Sequence, residues 1–315
     1  MRVHALGVGT AAATAAVLAL LPFVLSGYHQ ALAAQVGVYF IAILGLDILT
    51  GYTGQISIGH GAFMAIGGYT TAIMSRDHDT NLILTMLMAF GVCFVFGLLV
   101  GLPALRLSGV YLALVTFALA VSVPQFTLKF SNFLGGSNGI QSRTVVSHLR
   151  LYAMSWTAAA IMFVAAWLLL RGRTGRAFRA IRDSEVAASS SGVTLPVYKT
   201  LAFGISAAFA GVAGSLFVMG TNGFAQPNEF DLLLSLELLV GAAVAGLGSL
   251  WGVLLGAAFI GLLPTISNDV PLVGSAHGQD VVFGLIVVLV MLLLPTGFAG
   301  FLARFRDVRI RPTRT

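Results

Sequence analysis

Charge is what this chain has least of. Asp, Glu, Lys and Arg together make up 9% of its 315 residues, against 58% apolar. A water-soluble domain of that composition would lack the polar side chains to cover its surface, so lipid is the solvent for most of it. Lysine is scarcer still: Lys129 and Lys199 are the only two, and no G-x-x-x-x-G-K-S/T phosphate loop precedes either. The chain therefore does not hydrolyse ATP by the usual means. The single cysteine, Cys93, lies inside an apolar run and excludes an internal disulfide framework or thiolate metal site. Six scattered histidines without an H-E-x-x-H argue against a metal enzyme. No catalytic residue, cofactor or metal is expected.

What is there is a series of long apolar runs. A hydrocarbon core about 30 Å thick takes roughly 20 apolar residues per helix, so the length leaves room for about ten spans and little else. Runs without Lys or Arg lie at Leu6–Leu25, Ala31–Thr50, Ser57–Ser75, Leu82–Leu105, Ser108–Leu128 and Met154–Leu170, then at Thr200–Asn222, Leu232–Ala245, Trp251–Ile266 and Val281–Phe298. The eighth and ninth are short, with only Gly246–Leu250 between them. The expected fold class is all-α: a polytopic transmembrane bundle of about eight to ten spans, read as one transmembrane domain over residues 1–315. Residues 6–170 form its first half, 171–199 a polar connecting segment, 200–298 its second half and 299–315 a basic tail.

The formal net charge of +6 is concentrated. Arg171, Arg173, Arg176, Arg179, Arg182 and Lys199 mark the middle, and Arg304, Arg306, Arg309, Arg311 and Arg314 the tail. Basic residues flanking apolar spans mark cytoplasmic loops beside an anionic leaflet, and nucleic acid is not implied. Four spans between the two basic segments and six before them put both termini in the cytoplasm. The loop from Lys129 to Ala153, external on that count, dissents because it holds Lys129, Arg143 and Arg150 and no acid.

Glycine clusters inside apolar segments. Gly51-Tyr52-Thr53-Gly54-Gln55-Ile56-Ser57-Ile58-Gly59-His60-Gly61 and Gly246-Leu247-Gly248-Ser249-Leu250-Trp251-Gly252 each interrupt a stretch in which a helix would otherwise continue. Each precedes a small-residue helix, which suggests an internal inverted repeat. Backbone freed from helical bonding is tolerated at membrane depth only where it is buried or lines a cavity, so paired breaks point to a transport pathway. Gly54, Gln55, Ser57, Gly59, Gly248 and Ser249 are the candidates for lining it; Gln55, Ser57 and Ser249 have the alternative role of satisfying freed backbone groups. His60 at the start of a helix reads as a packed, hydrogen-bonded residue.

Between Gly175 and Ala188 lies the longest polar interruption, rich in helix formers, with Phe178 and Ile181 on one face and Arg176, Arg179 and Asp183 largely on another. It is expected to be a short surface helix. The following run Glu185-Val186-Ala187-Ala188-Ser189-Ser190-Ser191-Gly192 resembles the E-x-A-A-x-x-x-G element of ABC importer permeases, although Pro196 follows its glycine early. Gly51 to Phe63 is similar to the G-Y-x-G-Q-x-S-x-G-H-x-A-F of branched-chain amino acid permeases of the LivM and LivH type. Leu105 to Ala113 resembles their L-R-L-x-G-x-Y-x-A, Gly135 to Gly139 their G-G-x-x-G, and Gly246 to Gly252 their G-x-G-S-x-x-G. The long N-terminal approach looks more like the M-type partner.

This resemblance implies a bacterial inner-membrane permease subunit that forms a heterodimer with a second permease subunit. It implies two cytoplasmic ATP-binding subunits and an extracytoplasmic substrate-binding protein. Arg179, Arg182, Glu185, Ala187, Ala188 and Gly192 would form the contact with the ATPase. Two other readings stay open. Charges at membrane depth default to a functional role, so Asp47 and Glu237 are candidate proton sites of a secondary carrier. Sister ABC permeases carry urea or short amides.

Overall fold

The computed structural model describes residues 26–77, 80–105, 107, 109–142, 146–220, 223–268, 276–293 and 297–300. The expected first span, Leu6–Leu25, and the basic tail beyond residue 300 lie outside them.

Helix α1, Gly27–Leu46, runs on as a π-helical stretch, Asp47–Tyr52, and the chain then extends from residue 54 to 59. Next come α2, His60–Asp77; α3, Leu82–Ala104; and α4, Val110–Lys129. The side chain of Asn81 starts α3 by accepting the Ile83 N–H at 3.0 Å, as an N-cap should. A short α5, Ser131–Leu134, and strand β1, Ile140–Gln141, lead to α6, His148–Arg171. Two polar helices follow, α7 at Arg173–Asp183 and α8 at Glu185–Ser190. Then α9, Leu195–Gly220, takes Pro196 in its first turn, where the missing N–H costs no hydrogen bond. Strand β2, Phe224–Ala225, a 3₁₀ turn at Pro227–Phe230, α10 at Leu232–Ala245, α11 at Gly252–Asn268 and α12 at Ala276–Leu293 complete the described chain.

Among the described residues, five helical segments are long and apolar enough to cross a membrane: Gly27–Tyr52, Leu82–Pro103, α4, α6 and α9. The chain is an all-α polytopic bundle, and each expected run that falls within the described residues is a helix. Of these five, α1 and α9 are buried along most of their length, so they form the central posts. Helices α1, α2 and α3 pack on α9, and α6, α10 and α11 on α1. On α3, Ile83, Leu87, Phe96 and Leu99 face outward, as lipid contact requires.

Because lipid tails are as apolar as leucine, helices associate here through close packing. A Cβ at Gly67 would overlap the carbonyl of Gly211, and one at Gly214 the carbonyl of Met64, so α2 and α9 touch backbone to backbone. Strand β1 pairs antiparallel with β2, Ile140 opposite Ala225 and Gln141 opposite Phe224. That ribbon puts the Lys129–Ala153 loop and the connection after α9 at one end of the bundle. Helices α7 and α8, which join the far ends of α6 and α9, lie at the other.

Gly67→Ala is expected to destabilise the bundle by about 1–3 kcal/mol through overpacking. Gly91, whose Cβ would meet nothing within 4 Å, is the control and should accept alanine without loss. Thermal unfolding of the two variants in detergent checks the difference.

Candidate functional site

The two glycine clusters and α7 meet at one point. At Asp47 helix α1 widens into π geometry, a form that recurs at functional sites. Its end is closed locally: the Thr53 hydroxyl donates to the Leu49 carbonyl at 2.5 Å, Thr50 to the Gln55 carbonyl at 3.2 Å, and Gln55 Nε2 to Thr53 Oγ1 at 3.0 Å. Gly54 then turns the chain at φ +71°. Asp47 itself reaches across the bundle, where its Oδ1 accepts the N–H of Gly248 at 2.7 Å. Gly248 sits at φ +83°, a conformation that favours glycine, in the turn between α10 and α11. From α7, Arg182 Nη1 donates to the carbonyl of Gly51 at 2.5 Å.

There is no room here for side chains at either glycine. A Cβ on Gly51 would overlap both the Asp47 carboxylate and the Gly248 amide, and one on Gly248 would lie 2.7 Å from Arg182 Nη1. Both glycines are therefore required by the crossing itself.

The extended segment from 54 to 59 and the first turn of α2 have their backbone held by hydroxyls of other helices. Thr116 Oγ1 of α4 accepts the Ile58 N–H at 3.0 Å, and Ser235 Oγ of α10 accepts the Gly61 N–H at 2.9 Å. Ser206 of α9 donates to the Gly45 carbonyl at 2.7 Å and meets His60 Nε2 at 3.3 Å. In this way α4, α9 and α10 each contribute one hydroxyl to the break.

Helix α7 turns Phe178 and Ile181 inward, on the shared face expected of them, with Phe178 edge-on to the ring of Tyr198. Ser184 caps α8 by accepting the Ala187 N–H at 3.3 Å. Gly192, at φ +84°, ends it. Ala188 is buried, whereas Val186 is 78% exposed. Glu185, its side chain 44% exposed, makes a 2.6 Å ion pair with Lys199 of α9, whose side chain is 6% exposed.

The residues expected at a motor contact thus divide. Glu185, Ala187 and Gly192 are exposed on α8 and Ala188 is its buried anchor. Arg179 and Arg182 are exposed too, but each donates inward, Arg179 to the Leu170 carbonyl at 3.2 Å and Arg182 to Gly51. The pathway candidates also bond to backbone and neighbours. Ser57 accepts the Gly59 N–H at 3.4 Å, Ser249 accepts the Gly252 N–H at 3.2 Å, and Gln55 is buried against Thr53. Gly54 and Gly248 form the turns, and a Cβ on Gly59 would press on the Thr116 carbonyl at 2.7 Å. Asp47, weighed above as a proton site, holds the second break. Thr116, Ser206, Ser235 and the Lys199 partner of Glu185 were not singled out in the sequence. Their only local signal is a small hydroxyl, or one lysine, inside an apolar run.

Residues 28–293 match a protein family described as branched-chain amino acid transport system / permease component. The chain belongs to that permease family. It is 30% identical over 307 residues to the high-affinity branched-chain amino acid transport system permease protein LivM of Salmonella typhimurium, covering 88% of this chain and 71% of the relative. LivM of Escherichia coli matches to the same extent. LivH of Escherichia coli is 25% identical over 285 residues, with 83% of this chain and 91% of the relative covered. The permease is thus LivM-like, as its N-terminal approach suggested. No solved structure matches.

Within this permease the Glu185–Lys199 pair is asymmetric, which gives a test. Removing one partner of a fully buried pair costs about 3–5 kcal/mol, and solvent around Glu185 reduces that figure. Glu185→Ala leaves the buried Lys199 ammonium unpaired, whereas Lys199→Met removes the charge and keeps the packing. Thermal unfolding of the purified variants is expected to show the larger loss for Glu185→Ala.

Proposed function

We propose that this permease is one of two membrane subunits of an ATP-driven importer for branched-chain amino acids. The end carrying α7 and α8 faces the cytoplasm, as Arg171, Arg173, Arg176, Arg179 and Arg182 require of short basic loops. Two ATP-binding subunits engage that end. An extracytoplasmic binding protein delivers substrate at the end carrying the β1–β2 ribbon. The pathway runs between this chain and the second permease subunit and opens by alternating access.

One observation carries this reading: α8 offers an exposed apolar side chain, Val186, while the chain at its N-terminal end is tied to two spanning helices. Glu185 ties it to α9, and Arg182 on the preceding helix ties it to the break in α1. A solvated loop that merely obeyed the charge rule would need neither tie. A push on α8 passes through Lys199 into a central post and through Arg182 into the broken segment, so movement of a soluble partner reaches the bundle as rigid-body motion. The substrate class comes from the LivM and LivH relatives, and specificity can rest largely on the binding protein.

The test is uptake into proteoliposomes that hold the chain with its partner subunits. Leucine uptake is expected to need ATP and to survive an uncoupler; collapse with the proton gradient would favour the secondary carrier. Leucine, isoleucine and valine should compete with one another and urea should not. Val186→Glu is expected to lower binding-protein-stimulated ATP hydrolysis about tenfold or more, since it puts a charge into an apolar contact. Unchanged stimulation would remove α8 from the contact.

A further inference from the structure

The tie between α7 and the two breaks has a feature that static bracing does not explain. Asp47 is 1% exposed, yet only one of its carboxylate oxygens is used. Oδ1 holds the Gly248 amide, while Oδ2 is buried with no hydrogen-bond partner among the described residues. A buried, idle carboxylate oxygen is costly, and its persistence calls for an explanation. A strong donor is at hand. Arg182 Nη1 lies so close to Gly248 that a Cβ there would be 2.7 Å from it, and Gly248 is the residue whose amide Asp47 holds.

In the observed arrangement Arg182 donates to the Gly51 carbonyl, within the π-helical stretch that Asp47 begins. Both acceptors, the Gly51 carbonyl and the free Asp47 oxygen, thus belong to one short segment. Arg182 is on a helix with solvent on one side, and Gly192, at φ +84° with nothing within 4 Å of a Cβ placed there, ends the polar pair in an uncrowded turn.

We infer that Arg182 and Asp47 are positioning residues that form a two-state latch. In this state Arg182 holds Gly51 and Asp47 holds Gly248, which keeps the two breaks together. When the motor moves α7, the guanidinium exchanges the Gly51 carbonyl for the Asp47 carboxylate, the Gly248 amide is released, and the α10–α11 turn separates from the end of α1. The charge-assisted pair formed in the second state offsets the loss of the two bonds of the first. The latch rests on the importer function proposed above and names the side chains through which the drive reaches the pathway.

Proteoliposomes with the full complex separate the two claims. If the wild-type complex takes up no leucine on ATP addition, the importer function fails. If it does, the latch is tested by uptake per ATP hydrolysed. Arg182→Met is expected to assemble with its partners and hydrolyse ATP while uptake per ATP falls about tenfold or more, the scale of a lost charged hydrogen bond. Arg182→Lys should recover part of the loss. Asp47→Asn keeps an acceptor for the Gly248 amide but not the carboxylate, and is expected to show the same uncoupling. The double variant should be no worse than either single one, as for residues acting as a unit. Uptake per ATP within twofold of wild type in Arg182→Met, or additive losses in the double variant, would overturn the latch.

A second measurement needs no variant of either residue. Spin labels placed at Ser184 and Leu247, both exposed, report the separation of α7 from the α10–α11 turn, and Cys93 is buried and leaves the background silent. Their distance distribution in the complex should change when a non-hydrolysable ATP analogue is added. An unchanged distribution would overturn the latch even where Arg182→Met fails to assemble.

Discussion

Backbone amides and carbonyls that leave a helix inside lipid have no water to turn to, and satisfying them governs the arrangement of this bundle. The chain leaves α-helical geometry between Asp47 and His60 and again between Ala245 and Gly252. Around the first break, freed groups are met by side chains from other helices, by the segment's own Thr50, Thr53 and Ser57, and by the Leu49 carbonyl. Thr116, Ser206 and Ser235 come from three separate helices, and Asp47 crosses from the first break to the second. These few polar residues therefore fix which helices surround the break. The glycines at 51 and 248 follow from the same demand, since any side chain there would part the groups that need to meet.

The same demand links the membrane to its surface. The Gly51 carbonyl, freed near the end of α1, is met by an arginine on a polar helix outside the spans. Lys199, carried into the base of α9, is met by Glu185 on the helix beside it. Neither contact is a surface ion pair of the kind that contributes little, because in each the group on the spanning helix is shielded from water. A segment bonded in this way to two spanning helices transmits displacement instead of absorbing it. That property is what the proposed ATP-driven import would ask of a contact with a motor subunit.

Much of this fold was legible in the sequence because the membrane imposes a simple pattern. Apolar runs became helices, and glycine clusters became breaks. Phe178 and Ile181 became the inner face of the polar helix. Boundaries failed where a charge was taken as the limit of a span. Helix α6 begins at His148, ahead of the expected Met154, because Arg150 is exposed and needs no partner. Helix α9 begins at Leu195, ahead of Thr200, because Lys199 is neutralised by Glu185 and is carried inside. The two breaks also differ in shape, one an extended stretch and the other a tight turn, although their glycine content is alike. The crossing between them was not legible. Asp47 and Gly248 are 201 positions apart, Arg182 and Gly51 are 131 apart, and nothing in local composition pairs them.

Hydrogen–deuterium exchange on the purified resting protein, followed for peptides covering residues 54–61 and 246–251, tests directly whether the breaks are closed by these side chains. Exchange as slow as in the flanking helices α2 and α10 is predicted for both segments, despite their lack of helical bonds. Exchange as fast as in the exposed turn after α8 would contradict it, since the freed backbone would then be meeting water instead of Thr116, Ser235 and Asp47.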